Sequence, residues 1–310
     1  MPTPKIAVIG ECMIEMSEKA SHVSRGFGGD TLNTAVYIAR LVDAQALAVH
    51  YVTALGEDNF SQQMLEAWQQ EKVHTELVQR MPDRLPGLYY IQTDERGERS
   101  FLYWRSEAAA RYWLTGAEAA GITTQLEGFD YLYLSGISLA ILPPESRERL
   151  FTLLEACRRR GGKIIFDNNY RPRLWSNRQE TQRVYRRMLA CTDIAFLTLD
   201  DEDALWGPGL PDEVIARTHA AGVQEVIIKR GAESCLVARQ AEPPLTVPAI
   251  TLPKERVVDT TAAGDSFSAG YLSVRLTGGT PQAAAECGHR TASAVIQHRG
   301  AIIPRELMPK

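Results

Sequence analysis

Asp259-Thr260-Thr261-Ala262-Ala263-Gly264-Asp265-Ser266-Phe267, running into Ser268-Ala269-Gly270-Tyr271-Leu272, is the stretch on which the fold turns. Its small residues Ala262, Ala263 and Gly264 let an anion approach the backbone, and a helix beginning there leaves its first N–H groups without intrahelical partners. The helix macrodipole adds about half a positive charge at the same end, so a phosphoryl group can settle there without a lysine-bearing loop. Asp265 is the anomaly, because a carboxylate at an anion site repels the ligand. It has a use if it takes the proton from an alcohol attacking that phosphoryl group, and nearby N–H groups are expected to keep it ionised. A helix with a Thr or Asp cap and an acidic first turn is the plainer alternative for the same residues.

The order D-T-x-[GA]-A-G-D-x-[FY] is more particular than a cap requires. Over Asp259 to Phe267 it resembles the C-terminal signature of the ribokinase-like (PfkB) carbohydrate kinases. The resemblance implies that Asp265 is the catalytic base, that Ala262, Ala263 and Gly264 form the anion hole, and that ATP and Mg²⁺ are the cofactors. It leaves open a monovalent cation held by Asp259 and Thr261. Ala262 stands where many members have glycine: a negative φ tolerates alanine and a positive one strains it. The implied fold is α/β, a three-layer sandwich with a mostly parallel central sheet and a small β-sheet lid. A single kinase domain over 1–310 is expected, its lid formed by about 11–24 and 85–106.

Composition is that of a globular chain: 310 residues, 45% hydrophobic and 23% charged, enough for a large core. A formal net charge of -4 argues against nonspecific binding to nucleic acid or anionic membranes. The five cysteines (Cys12, Cys157, Cys191, Cys235, Cys287) form no C-x-x-C, and no His cluster has metal-ligand spacing. They are expected to be reduced core thiols. With no run of about 18 apolar residues and no cleavable leader, a cytoplasmic location is expected.

Along the chain, Lys5 to Gly10 reads as a buried strand, with no G-x-G-x-x-G after it to support a nicotinamide dehydrogenase. Arg25 to Val36 is a glycine-rich turn feeding a helix. It resembles the family's sugar-side element, which implies substrate contacts from Gly28, Gly29 and Asn33, with Glu11 near a position where relatives carry a sugar-binding Asp. Leu47 to Leu55 is a second strand, and Phe60 to Gln70 an amphipathic helix with Phe60, Met64, Leu65 and Trp68 on one face. Leu85 to Ile91, a turn over Thr93 to Gly97, and Ser100 to Arg105 predict an aromatic β-hairpin. In the family such a hairpin belongs to the lid.

Strands are predicted over Phe129 to Ile137, Lys163 to Asp167, Asp193 to Thr198 and Gln224 to Lys229, with helices over 144–160 and 281–297. The polar loop from Asp167 to Arg171 follows a strand, where ligands collect in doubly wound sheets. The family's N-x-x-E, tied to Mg²⁺ through water, is replaced by Thr198-x-x-Asp201, which implies Asp201 as a metal contact. On the nucleotide side the resemblance implies Thr198, Lys229, Gly231, Thr261, Gly264 and His289.

Arg105 and Arg171 bear on the acceptor, because a guanidinium fork matches a carboxylate and a neutral hexose needs none. Ion pairing at the surface is the simpler use of either. Taken together, Gly28-Gly29-Asp30, Leu85 to Tyr90, Tyr103-Trp104-Arg105 and Asp167-Asn168-Asn169-Tyr170-Arg171 resemble the branch of the family that phosphorylates 2-keto-3-deoxygluconate. That implies substrate contacts from Tyr89, Tyr90, Tyr103, Arg105, Asn169 and Arg171 in addition to Asp265, with the two arginines on the carboxylate. The alternatives are a fructokinase or another neutral-sugar kinase, and a non-catalytic sugar-acid binding protein. A homodimer or higher homo-oligomer is expected, as lid sheets often pair in this family.

Overall fold

Five strands are apolar at nearly every position, not at every second one, and a strand of that kind must be covered on both faces. The computed structural model, which describes residues 2–19, 22–93 and 99–309, covers them so. In Lys5–Ile9, Ala7 and Ile9 face one core while Ile6 and Val8 face the other. The same division recurs in Lys163–Asp167, where Ile164 and Phe166 oppose Ile165, and in Glu225–Lys229, where Val226 and Ile228 oppose Ile227. One core is closed by helices Pro144–Arg159 and Arg178–Cys191, the other by Asp30–Leu41, Ala263–Arg275 and Pro281–Val295.

The central sheet has nine strands, in the order Leu245–Val247, Cys235–Arg239, Glu225–Lys229, Ile194–Thr198, Lys163–Asp167, Tyr131–Ser135, Lys5–Ile9, Ala48–Leu55 and Val78–Arg80. From Glu225–Lys229 onward every pair is parallel, and the first two strands run antiparallel. The carboxyl ends of the parallel strands therefore converge, with Asp167, Thr198 and Lys229 as terminal residues. Those two antiparallel strands, the short edge strand Val78–Arg80 and helix Gly136–Ile141 were not expected from the sequence. Phe60 differs too: it is exposed beneath the Arg25 guanidinium, and the buried stripe of its helix is Ser61, Met64 and Trp68, with Leu65 partly buried beside it.

A second sheet of four strands has the order His22–Gly28, Met13–Lys19, Leu88–Thr93, Arg99–Trp104. Two antiparallel hairpins are joined by a parallel pair, with Ile14 opposite Leu88 and Met16 opposite Tyr90. The single strand expected over 11–24 is thus a hairpin reaching Gly28. The turn expected over Thr93 to Gly97 lies mostly outside the described residues. All five cysteines are buried and unbridged. Among the described residues no helix is long and apolar enough to cross a membrane.

Candidate active site

Between the inner face of the small sheet and the carboxyl ends of the parallel strands lies a cleft of about 730 Å³. Helix Ala263–Arg275 opens at its floor. Its N-cap residue, Ala262, sits in the left-handed region (φ 60, ψ 16), the conformation that strains alanine. An L-residue there costs roughly 1–2 kcal/mol. The turn is held by Ala263 N–H donating to Thr260 O (3.2 Å) and Ser266 N–H to Ala262 O (2.9 Å). Ala263 therefore already spends the donor expected for an anion, and Gly264 and Asp265 hold the first-turn N–H groups without intrahelical partners. Gly264 lies close to Lys229, since a Cβ there would stand 3.3 Å from Lys229 Nζ.

Asp265 points across to helix Asp30–Leu41, where Asn33 Nδ2 donates to its Oδ2 (2.9 Å). Asn33 is buried, and its Oδ1 has no partner. Asp30 on the same helix start accepts from Asn169 Nδ2 (2.6 Å), and Asn169 is itself in the positive-φ region at φ 26. On the far wall Lys229 Nζ bonds Asp167 Oδ2 (2.7 Å), which also accepts from Ser268 Oγ (3.1 Å). Burial first, and the Asp30 charge next, push the Asp265 carboxyl up to about 7, against the Asn33 hydrogen bond; Asp167 raises it further and Lys229 opposes. The carboxylate expected to be held ionised by N–H groups is instead poised near neutrality, because three carboxylates share one recess.

Of the residues expected to touch the acceptor, Gly29, Asn33, Tyr89, Tyr103, Asn169, Arg171 and Asp265 line the cleft. Gly28, Tyr90 and Arg105 do not. Strand alternation turns Tyr90 to the outer face, where its hydroxyl meets Glu18, while Tyr89 turns inward onto Glu15. Gly28 packs its Cα against the Tyr89 hydroxyl and supports the pocket wall. Arg105 is ion-paired to Glu11, which is 2% exposed. Burial raises the Glu11 carboxyl against the pull of Arg105, and neither Glu11 nor Arg105 is free to reach an acceptor in this arrangement. Arg171 stands at the mouth with its side chain 51% exposed, held by Tyr170 O (2.8 Å) and Asp201 Oδ1 (3.3 Å).

Tyr89, Phe101 and Tyr103 form an inward aromatic wall, with ring centroids 6.0–6.5 Å apart. Met13, Asp30, Phe101 and Asp167 are wall residues absent from the expected site set. Asp30 and Asp167 carried a signal, since each sits at a helix start or strand end beside a residue that was chosen.

Thr198, Lys229, Gly231, Thr261, Gly264 and His289 line the other half of the cleft, with Val257, Phe267, Ala292 and Ile296 providing apolar surface. Gly231 has φ 60, which favours glycine. His289 Nε2 lies 3.2 Å from Val247 O, its ring edge-on to Phe267, and burial lowers its pKa so that it is neutral at physiological pH. Asp201 accepts from Tyr170 N–H (3.2 Å) and shares this wall with Asp167 and Asp200. Burial raises the Asp201 carboxyl, with Arg171 opposing. Hard oxygen donors of this kind, with room for water, suit Mg²⁺.

A βαβ-built sheet with a phosphate-sized helix mouth, a carboxylate at that mouth and an aromatic flap opposite describes a sugar kinase. The sequence profile described as pfkB family carbohydrate kinase matches residues 3–307, and the chain belongs to that family. The 2-dehydro-3-deoxygluconokinase of Escherichia coli (strain K12) is 70% identical over 305 residues, 98% of this chain and 99% of the relative. The 2-dehydro-3-deoxygluconokinase of Dickeya dadantii (strain 3937) is 67% identical over 309 residues, 100% of both chains. Among solved structures, a putative ribokinase II from E. coli in complex with ATP and Mg²⁺ superposes with a TM-score of 0.81 at 20% identity, covering 96% of this chain and 94% of that one.

Proposed function

We propose that this chain is an ATP-dependent kinase that phosphorylates the 6-hydroxyl of 2-keto-3-deoxy-D-gluconate, giving 2-keto-3-deoxy-6-phosphogluconate and ADP in the cytoplasm. Relatives of that activity at 67–70% identity over nearly the whole chain support it. The observation that carries the mechanism is Asp265, fixed by Asn33 at 2.9 Å, in the first turn of a helix. The sugar acid lies between the Gly29–Asn33 turn and the aromatic wall, with its carboxylate at Arg171 and its terminal hydroxyl at Asp265. Asp265 takes the hydroxyl proton as that oxygen attacks the γ-phosphorus of ATP and the bond to the β-bridging oxygen breaks, releasing ADP. The N–H groups of Gly264 and Asp265, with Lys229, face the charge that migrates.

The wall of Asp167, Asp200 and Asp201 would hold Mg²⁺, which would supply charge neutralisation for the phosphates. Adenine packs on Val257, Phe267, His289 and Ile296. Both oxygens of Asp259 are engaged, Oδ1 by Thr261 N–H (3.1 Å) and Oγ1 (2.7 Å), Oδ2 by Gly300 N–H (2.9 Å). A monovalent cation at Asp259 and Thr261 would reinforce this clamp on the anion turn. The small sheet closes over the acceptor as the lid of a single kinase domain, excluding water that would otherwise accept the phosphoryl group.

Turnover is the test. With ATP and Mg²⁺, release of ADP should require the keto acid and be poor with fructose; a preference for fructose overturns the substrate, and no release at all overturns the enzyme.

A further inference from the structure

Away from the cleft, near the amino-terminal end of strand Ala48–Leu55, three metal-ligating side chains meet. His74 N–H donates to Val49 O (2.8 Å) and His74 O accepts from Tyr51 N–H (2.9 Å), a parallel bridge that sets His50 beside His74. The rings stack with centroids 4.5 Å apart. Glu76, two residues on, presents Oε1 at 3.0 Å from His74 Nδ1 and Oε2 at 3.6 Å from His50 Nδ1. None of the three lines the cleft.

His50 is the informative member. It is 9% exposed, and neither ring nitrogen has a hydrogen-bond partner. A buried polar atom left unpaired is costly, so a buried imidazole stacked on a second one, with a carboxylate oxygen 3.6 Å from its Nδ1, calls for an occupant. The two nitrogen-to-oxygen separations, 3.0 and 3.6 Å, bracket the roughly 3.3 Å between neighbouring ligand atoms around a tetrahedral zinc with bonds of about 2.0–2.1 Å. His74 and Glu76 are exposed at the rim and provide the entry path.

We propose that His50 Nδ1, His74 Nδ1 and the Glu76 carboxylate form a binding site for a divalent transition cation of the zinc class, with water completing the shell. Such an ion staples the segment from Val73 to the edge strand Val78–Arg80 onto strand Ala48–Leu55, stabilising the fold without entering the chemistry. Sequence spacing hid the site, because a β-bridge, not a helix turn, brings residues 50 and 74 together.

Chelator-stripped protein in excess Mg²⁺, which occupies the cleft carboxylates, is titrated with Zn²⁺ by calorimetry, and its melting temperature is followed. Co²⁺ serves as a spectroscopic probe. One Zn²⁺ should bind, the melting temperature should rise with Zn²⁺, and Co²⁺ should give tetrahedral visible bands without thiolate charge transfer. His74→Ala and Glu76→Gln, both at exposed positions, should each weaken Zn²⁺ by at least about tenfold and abolish the melting shift, while stripped stability and kinase turnover stay at the wild-type level. No Zn²⁺ uptake in the presence of Mg²⁺, equal affinity in both variants, or a thiolate band from the cysteines would each overturn the site and leave a plain His–Glu–His hydrogen-bond cluster.

Discussion

Burial first and the Asp30 charge next push the Asp265 carboxyl up to about 7. A base must be deprotonated to act, so kcat/KM for the keto acid, measured with that acid well below its KM, should fall as the pH drops below about 7, approaching tenfold per unit. Asp265→Asn should lower kcat by about 10²–10⁴-fold; product formed at the native rate would remove Asp265 from the reaction. The same residue should trade stability for activity. Its folded pKa lies above the unfolded one, so the folded state binds more protons between them, and stability falls as pH rises from the ordinary carboxylate range through about 7. The amide variant should therefore melt higher than wild type at pH 8, by about 2–4 °C per kcal/mol relieved, and the gap should close near pH 4. Ala262→Gly removes the left-handed strain at φ 60 but loosens the unfolded chain, so a net gain below about 1 kcal/mol is expected by denaturant titration. That Asp265 lies in the cleft at a helix start was legible from its neighbours in sequence. Its elevated pKa was not, since Asp30 and Asp167 reach it only through tertiary folding.

Strand phase decides which aromatic side chains face the cleft. Tyr89 and Tyr90 are adjacent and chemically alike, and only the pairing of Leu88–Thr93 with Met13–Lys19 and Arg99–Trp104 turns Tyr89 inward. No local signal distinguishes them. The two arginines divide in a similar way: Arg171 stands at the mouth, and Arg105 is spent on buried Glu11. Arg171→Ala should raise KM for the keto acid by about 10- to 150-fold, the equivalent of 1.5–3 kcal/mol, with little change in melting temperature. Arg105→Ala should act on folding, costing about 3–5 kcal/mol because Glu11 is left buried without its partner. A pure KM effect at Arg105 would mean that it leaves Glu11 to bind substrate. The fully buried parallel strands were readable as apolar runs. Cys235–Arg239 and Leu245–Val247 were not, because both are short and carry polar positions such as Arg239 and Thr246, a pattern that reads as loop; of the two, only Leu245–Val247 lies at the sheet edge.

At the scale of the whole molecule, one sheet with two cores holds the strand ends that build the cleft, and a second sheet covers them. The outer face of that second sheet carries Leu102 and Trp104, the latter 59% exposed, along the edge strand Arg99–Trp104. An unpaired edge with apolar side chains is a template for another copy, which supports the homodimer reading. Sedimentation should give a dimer for the wild type and a monomer for Trp104→Glu; an unchanged dimer would place the interface elsewhere. The five buried, unbridged thiols have a bearing on how any of these melting experiments is run. Each is shielded only while the chain is folded, so heating in air would release them together and let random cross-links trap the product. Scans that return to baseline under a reducing agent and fail to return without one would trace that loss to oxidation, not to the fold.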